Sequence, residues 1–141
     1  MKVLIVRGGV YHWQSFQFED QTQRDKYFIS LNCEINSEPL WLVLPTSQYE
    51  KHYQGQTQRL VDTLVLEPLE SQFFPKKTVI DLKNLKDVCP NELQNAISQQ
   101  KVTYVGLLEE AILERLEQII EQAFTLSPTL IDQLLCRERG S

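Results

Sequence analysis

Glu38-Pro39-Leu40-Trp41-Leu42-Val43-Leu44-Pro45-Thr46-Ser47-Gln48 runs five apolar residues together, stops at Pro45 and hands over to hydroxyl and amide side chains. An apolar run this short predicts a buried strand over residues 40–44. Its end delivers Thr46, Ser47 and Gln48 to the mouth of a sheet, which is how small β-barrels build polar sites. Upstream, the aromatic-rich stretch 10–18 suits a half-buried strand, and 26–33 pairs with 40–44 as an antiparallel meander turning through Asn36, Ser37 and Pro39. Residues 60–66, 78–82 and 85–88 continue the sheet, and polar residues 47–58 between them form a mobile loop.

The period changes after residue 90. Pro90 suits the first turn of a helix over 92–99, and 102–105 is again strand-like before Gly106 breaks it. Leu108, Ile112, Leu113, Leu116, Ile119, Ile120, Ala123 and Phe124 then recur at three- and four-residue spacing, the apolar stripe of an amphipathic helix. Its other face carries Glu109, Glu110, Glu114, Glu117 and Glu121 against Arg115 alone. Ser127 before Pro128 reads as the cap of a last helix to about residue 135, with fraying from 137 to 141. The expected fold is therefore mainly β with C-terminal helices, an α+β chain in a single domain 1–141, with strands over about 8–105 and helices over about 106–136.

Composition narrows the function classes. No apolar run approaches the roughly 20 residues of a membrane span, and Arg7 and two glycines cut off the apolar N-terminus, so a cytoplasmic protein is expected, with no membrane. Cys33, Cys89 and Cys136 are odd in number and lack a C-x-x-C pattern, so they read as reduced thiols, with no metal site and no cofactor. The net charge of −5 argues against a general nucleic-acid binder, yet it is unevenly placed. Residues 1–60 balance six Lys/Arg with six Asp/Glu, leaving the whole excess downstream.

Three stretches share an order and spacing with a known family: Arg7-Gly8-Gly9-Val10-Tyr11, Lys26-Tyr27-Phe28-Ile29-Ser30-Leu31-Asn32 and Leu44-Pro45-Thr46-Ser47-Gln48. Together with residues 77–88, and with Val105-Gly106-Leu107-Leu108 as the start of the final helix, they resemble the MazF/PemK-like toxins of bacterial toxin–antitoxin modules. The resemblance implies a small SH3-like β-barrel and a homodimer. It implies a metal-independent, sequence-selective endoribonuclease acting on single-stranded RNA, a growth inhibitor neutralised by a cognate antitoxin. Carried over position by position, Thr46 matches the family's hydroxyl, Ser47 is its neighbour, and Gln48 is a base or phosphate donor. Lys26 stands where the family has Arg, and Arg24 reaches that site only with a shifted loop. Because an ammonium lacks the bidentate fork of a guanidinium, a catalytically inactive barrel serving as a protein- or nucleic-acid-binding module is the alternative. The family's loop acid is Glu19, Asp20 or Asp25, unranked.

Lys51 and His52, between Tyr49 and Tyr53, are candidates for clamping a single strand by charge and stacking. Plainer roles stand beside these. Thr46 and Ser47 can close a turn, Lys26 can guard an edge strand, His12 can be a hydrogen-bonded sheet histidine, and the glutamate face can be solvated surface.

Overall fold

The computed structural model describes residues 3–17, 20–35 and 40–137. Seven strands and four helices follow in chain order: β1 (Gly9–Gln17), β2 (Gln23–Ser30), β3 (Leu40–Val43), α1 (Tyr49–His52), β4 (Thr63–Leu66), β5 (Thr78–Asp81), β6 (Lys86–Val88), α2 (Pro90–Ser98), β7 (Val102–Leu107), α3 (Glu110–Glu121) and α4 (Pro128–Leu134). Short 3₁₀ turns at Thr57–Leu60 and Leu82–Asn84 complete the list. The chain is thus α+β, built on an antiparallel five-stranded sheet in the order β6-β3-β2-β1-β7.

Alternation along these strands sends apolar side chains to both faces. Val10, Ile29, Leu31 and Val43 lie in one core with β4, β5 and α3, whereas Tyr11, Trp13, Phe28, Leu40 and Leu42 lie in the other with α2. The expected single continuing sheet is corrected here: β4 and β5 form their own hairpin, joined to the end of β3 by a Thr46–Val79 bridge. Those two strands carry Leu64, Leu66 and Ile80 into one core with α3 and with Val10, Ile29 and Val43 of the five-stranded sheet.

On α3, Ile112, Leu116 and Ile120 are 4%, 0% and 0% exposed, one row at four-residue spacing. Burying each stabilises the fold by about 1.5–3 kcal/mol. The expected stripe runs too far, since α3 ends at Glu121 and Phe124 is 89% exposed. Asp62 is the reason: its carboxylate accepts the N–H groups of Phe124 (3.0 Å) and Thr125 (2.7 Å) and the Thr125 hydroxyl, holding the chain off the helical path. Residues 105–108 do not begin the helix either. Val105, Gly106 and Leu107 belong to β7, where the Phe73 ring lies so close that a Cβ on Gly106 would sit 2.9 Å from it. Pro90 and Ser127 act as expected; the Ser127 hydroxyl accepts the Leu130 N–H at 3.1 Å.

The N-terminal segment is held by buried polar groups. Tyr11 donates to Leu4 O (2.6 Å) and accepts from Val6 N (2.8 Å), while Asn32 donates to Ile5 O (2.8 Å). Arg7 donates to Leu31 O (3.0 Å) and pairs with Glu117 at 2.8 Å, fastening the entry of β1 to α3.

The expectation of reduced thiols is corrected for two of the three cysteines. Cys33, just past β2, and Cys136, just past α4, form a disulfide with Cα atoms 5.5 Å apart, whereas Cys89 is free and exposed. Their 103-residue separation hid this, because spacing along a chain carries no information on which distant residues meet. Among the described residues no helix is long and apolar enough to cross a membrane. The expected turn at Asn36, Ser37 and Pro39, Phe18 of the first strand, and the terminal residues 138–141 lie outside the described residues.

Candidate functional site

Beyond Ser30 and Ile29, β2 runs on without β3 and pairs only with β1, so its first residues overhang the sheet. Arg24 and Lys26 lie on this overhang, on the face that also carries Phe28. The chain leaving β3 turns over the same end, and the segment from α1 to the 3₁₀ turn at Thr57–Leu60 closes the far side. Between them opens a cleft of about 540 Å³.

Among the described residues five cationic side chains line it, Arg24, Lys26, Arg59, Lys83 and Lys86, against the carboxylate of Asp81. Thr46, Gln48, His52 and Tyr53 complete its polar wall. Cations are therefore gathered in one place on a chain whose net charge is −5, while α3 keeps the glutamates, three of them paired or bonded to Arg7, Ser71 and Arg137. Net charge is a poor guide to a cleft, because the potential inside it follows the nearest groups.

The far wall is held by Asp81, 4% exposed. One oxygen accepts the Tyr53 hydroxyl at 2.8 Å, and the other takes the Lys83 ammonium and the Lys83 N–H, each at 2.9 Å. Lys83 Nζ in turn donates to the carbonyls of Arg59 (2.8 Å) and Val61, so one ammonium ties the Thr57–Leu60 turn to β5. Burial, reinforced by the Asp81 carboxylate, pushes the Tyr53 phenol up to about 12, keeping it a hydrogen-bond donor throughout the physiological range. Arg59 Nη1 donates to His52 O at 3.3 Å.

On the near wall, burial, with the neighbouring Arg24 charge, holds the Lys26 ammonium below its ordinary range. Desolvation and like charge both penalise the cation there, a penalty that an arriving anion relieves. Thr46 Oγ1 accepts the Gln48 N–H at 3.2 Å, and Gln48 Oε1 lies 3.0 Å from His52 Nε2. Gln48 is thereby a positioning partner for the imidazole, and the expectation of Gln48 as base is corrected: a neutral amide does not accept a proton, whereas His52 can.

Of the sequence-predicted residues, Arg24, Lys26, Thr46, Gln48 and His52 share this cleft. Ser47 faces away into a smaller niche, and Lys51 is exposed and lines neither. Lys26 does stand on a local edge, since β2 has β1 alone beside it at this position, although further along it is the central strand of its sheet. The polar stretch 47–58 is not a free loop; it contains α1 and enters the Thr57–Leu60 turn. Of the three loop acids, Glu19 lies outside the described residues and Asp20 bonds Thr22 locally. Asp25 accepts the Ser15 N–H at 2.9 Å and lies 3.8 Å from His12, on the opposite face from Lys26.

Arg59, Lys83, Lys86 and Asp81 were not among the expected site residues, and Tyr53, expected to stack on a strand, is instead buried and donates to Asp81. Only the Lys83 and Lys86 spacing, three apart beside a strand, hinted at them. Among the described residues no group of three His, Cys, Asp or Glu is placed to hold a metal ion. The fold and cleft define an α+β protein with a cationic site at one end of its sheet. No family model matches the chain, and no curated protein matches it.

Proposed function

We propose that this protein is a toxin-like, sequence-selective endoribonuclease of the MazF/PemK kind, built on an SH3-like barrel and acting on single-stranded RNA in the cytoplasm as a homodimer. The observation that carries it is the convergence of five cations with Thr46 and His52 on one cleft. RNA cleavage by its own 2′-hydroxyl closes a cyclic phosphate as the P–O5′ bond breaks, and it needs a base for the 2′-hydroxyl proton, positive charge at the phosphorane, a donor to a phosphate oxygen and an acid for the leaving 5′-oxygen. His52 is the base, Lys26 and Arg24 carry the charge, Thr46 donates to the phosphate oxygen, and the Lys26 ammonium gives the leaving 5′-oxygen its proton. Lys86 and Arg59 hold the strand on either side by its phosphates. A cognate antitoxin would lay an acidic segment along the same cations.

A second use of the cleft, as a binding module without catalysis, is favoured by Lys26 itself, which offers a point charge where a guanidinium fork would hold the phosphate in place. The deciding experiment is incubation of the protein with a long mixed-sequence RNA in excess EDTA, beside Thr46→Ala and Lys26→Ala, with mapping of new 5′-hydroxyl ends. The nuclease gives discrete cuts that disappear in both variants. Intact RNA, from a folded protein that still binds it, leaves the binding module.

A further inference from the structure

On the other side of Thr46 from the cleft lies a second concavity of about 280 Å³, and it differs in character. Tyr27, Phe73, Phe74, Pro45 and Pro75 form its walls, with Ser47 and Lys76 at hand. We infer that this niche holds a nucleobase of the RNA whose phosphates occupy the cationic cleft, so that it is the base-reading subsite of the protein; this rests on the RNA-binding function proposed above.

The strand geometry supplies the reason. Lys26 and Tyr27 are consecutive in β2, and consecutive strand residues point to opposite faces, so Lys26 enters the cleft while Tyr27 enters the niche. Thr46 borders both concavities, and its backbone is fixed to Val79 by two hydrogen bonds of 2.9 and 2.8 Å. A nucleotide lying across the end of the sheet at Thr46 thus meets ammonium and guanidinium groups on one side and aromatic rings on the other. Phosphate and base have the same division of character. Tyr27 is 44% exposed and its ring is steadied edge-on by His12, with centroids 5.1 Å apart, so it is presented rather than packed away. Phe73 is braced against β7 at Gly106, where only a glycine leaves room for the ring. An aromatic face held out as that of Tyr27 is, beside the partly buried Phe73, costs little order on binding, and every base has a face to stack on it. Selection among bases then falls to the hydroxyl of Ser47 and the ammonium of Lys76 at the niche.

A protein partner offering an aromatic side chain is the competing occupant, and the test separates it. Binding of the full chain to a labelled single-stranded 2′-O-methyl RNA, which cannot be cleaved, is measured over a range of salt, beside an otherwise identical strand with abasic positions and an acidic peptide containing Phe. Base stacking predicts that Tyr27→Ala weakens RNA binding roughly tenfold. It leaves the salt dependence unchanged, since no phosphate contact is lost. Tyr27→Phe retains the affinity, Phe73→Leu lowers it, and the abasic strand binds the wild-type protein as weakly as the intact strand binds Tyr27→Ala. Lys26→Ala behaves oppositely, with a salt slope shallower by about 0.7. If the wild-type protein binds RNA but Tyr27→Ala and Phe73→Leu bind it equally well, the niche does not hold a base. A loss confined to the peptide overturns the inference in favour of a protein partner. RNA that fails to bind the wild-type protein overturns the cleft function and the niche together.

Discussion

Two buried aspartates, neighbours at one end of the β4–β5 hairpin, fasten what lies on its two sides in different ways. Asp62, 8% exposed, is satisfied by neutral donors from the segment after α3 and fastens the helical half. Asp81, 4% exposed, is satisfied by an ammonium and a phenol and fastens the wall of the cleft. The first arrangement ties the start of β4 to the segment after α3 and puts no side chain into the cleft. The second ties structure to the site, because the ammonium that Asp81 binds also grips the carbonyl of Arg59. A lesion on the helical side should therefore change stability alone, and one at the cleft wall should change stability and RNA binding together.

The largest effect expected lies on the helical side. The disulfide closes a 103-residue separation, and the loop-entropy treatment assigns such a closure up to about 4.7 kcal/mol. Urea unfolding with and without reductant, and of Cys33→Ser, should show a loss of about 3–4 kcal/mol, with RNA affinity unchanged wherever the reduced protein is still folded. A parallel fall in affinity would break the division between the two sides.

Asp81→Ala comes next, at about 3 kcal/mol in the same unfolding measurement, since it strands the Lys83 ammonium and the Tyr53 hydroxyl. Here RNA binding should weaken as well, because the turn carrying Arg59 loses its tether. Asp81→Asn should bring the Tyr53 phenol down from about 12, burial keeping it above its ordinary value; an absorbance titration reads this directly. Retained affinity in Asp81→Ala would show that the wall is held by other contacts.

Asp62→Ala should cost least, about 1–2 kcal/mol, without loss of binding. Burial alone would push the Asp62 carboxyl up, but bonds from the Thr125 hydroxyl and N–H and the Phe124 N–H, with the Lys83 charge, outweigh it and hold the group below the usual carboxylate range. The native state thus favours the charged form. Its contribution is complete above the unfolded carboxyl's pKa of about 3.9 and is lost as pH falls through the lower native value. The stability difference between wild type and Asp62→Asn should be flat above about pH 5 and shrink below about pH 4. A difference that persisted at low pH would mean that the carboxylate charge is not what holds the segment.

The same division governs how much could be read from the chain. Strands ahead of helices, the α3 stripe through Ile112, Leu116 and Ile120, and the starts at Pro90 and Ser127 were legible, because period and capping act over a few residues. Thr46 was legible as the end of a buried run, and it lines the cleft. The early end of α3 was not, because Asp62 imposes it from 62 residues away. The far wall of the cleft was equally hidden: Arg59 and Lys83 look like scattered surface charges until the hairpin folds back over the sheet end.

The amino-acid sequence by itself determined which segments extend, which coil and which face of each is apolar, since those choices depend on side chains one to four residues apart. Only the tertiary structure decided that Lys26 and Tyr27 divide a cationic cleft from an aromatic niche, that five distant cations share one site on an acidic chain, and that Cys33 meets Cys136. Packing of β4 and β5 under α3 brings those groups together, and no local pattern encodes distance between segments that meet only when the core closes.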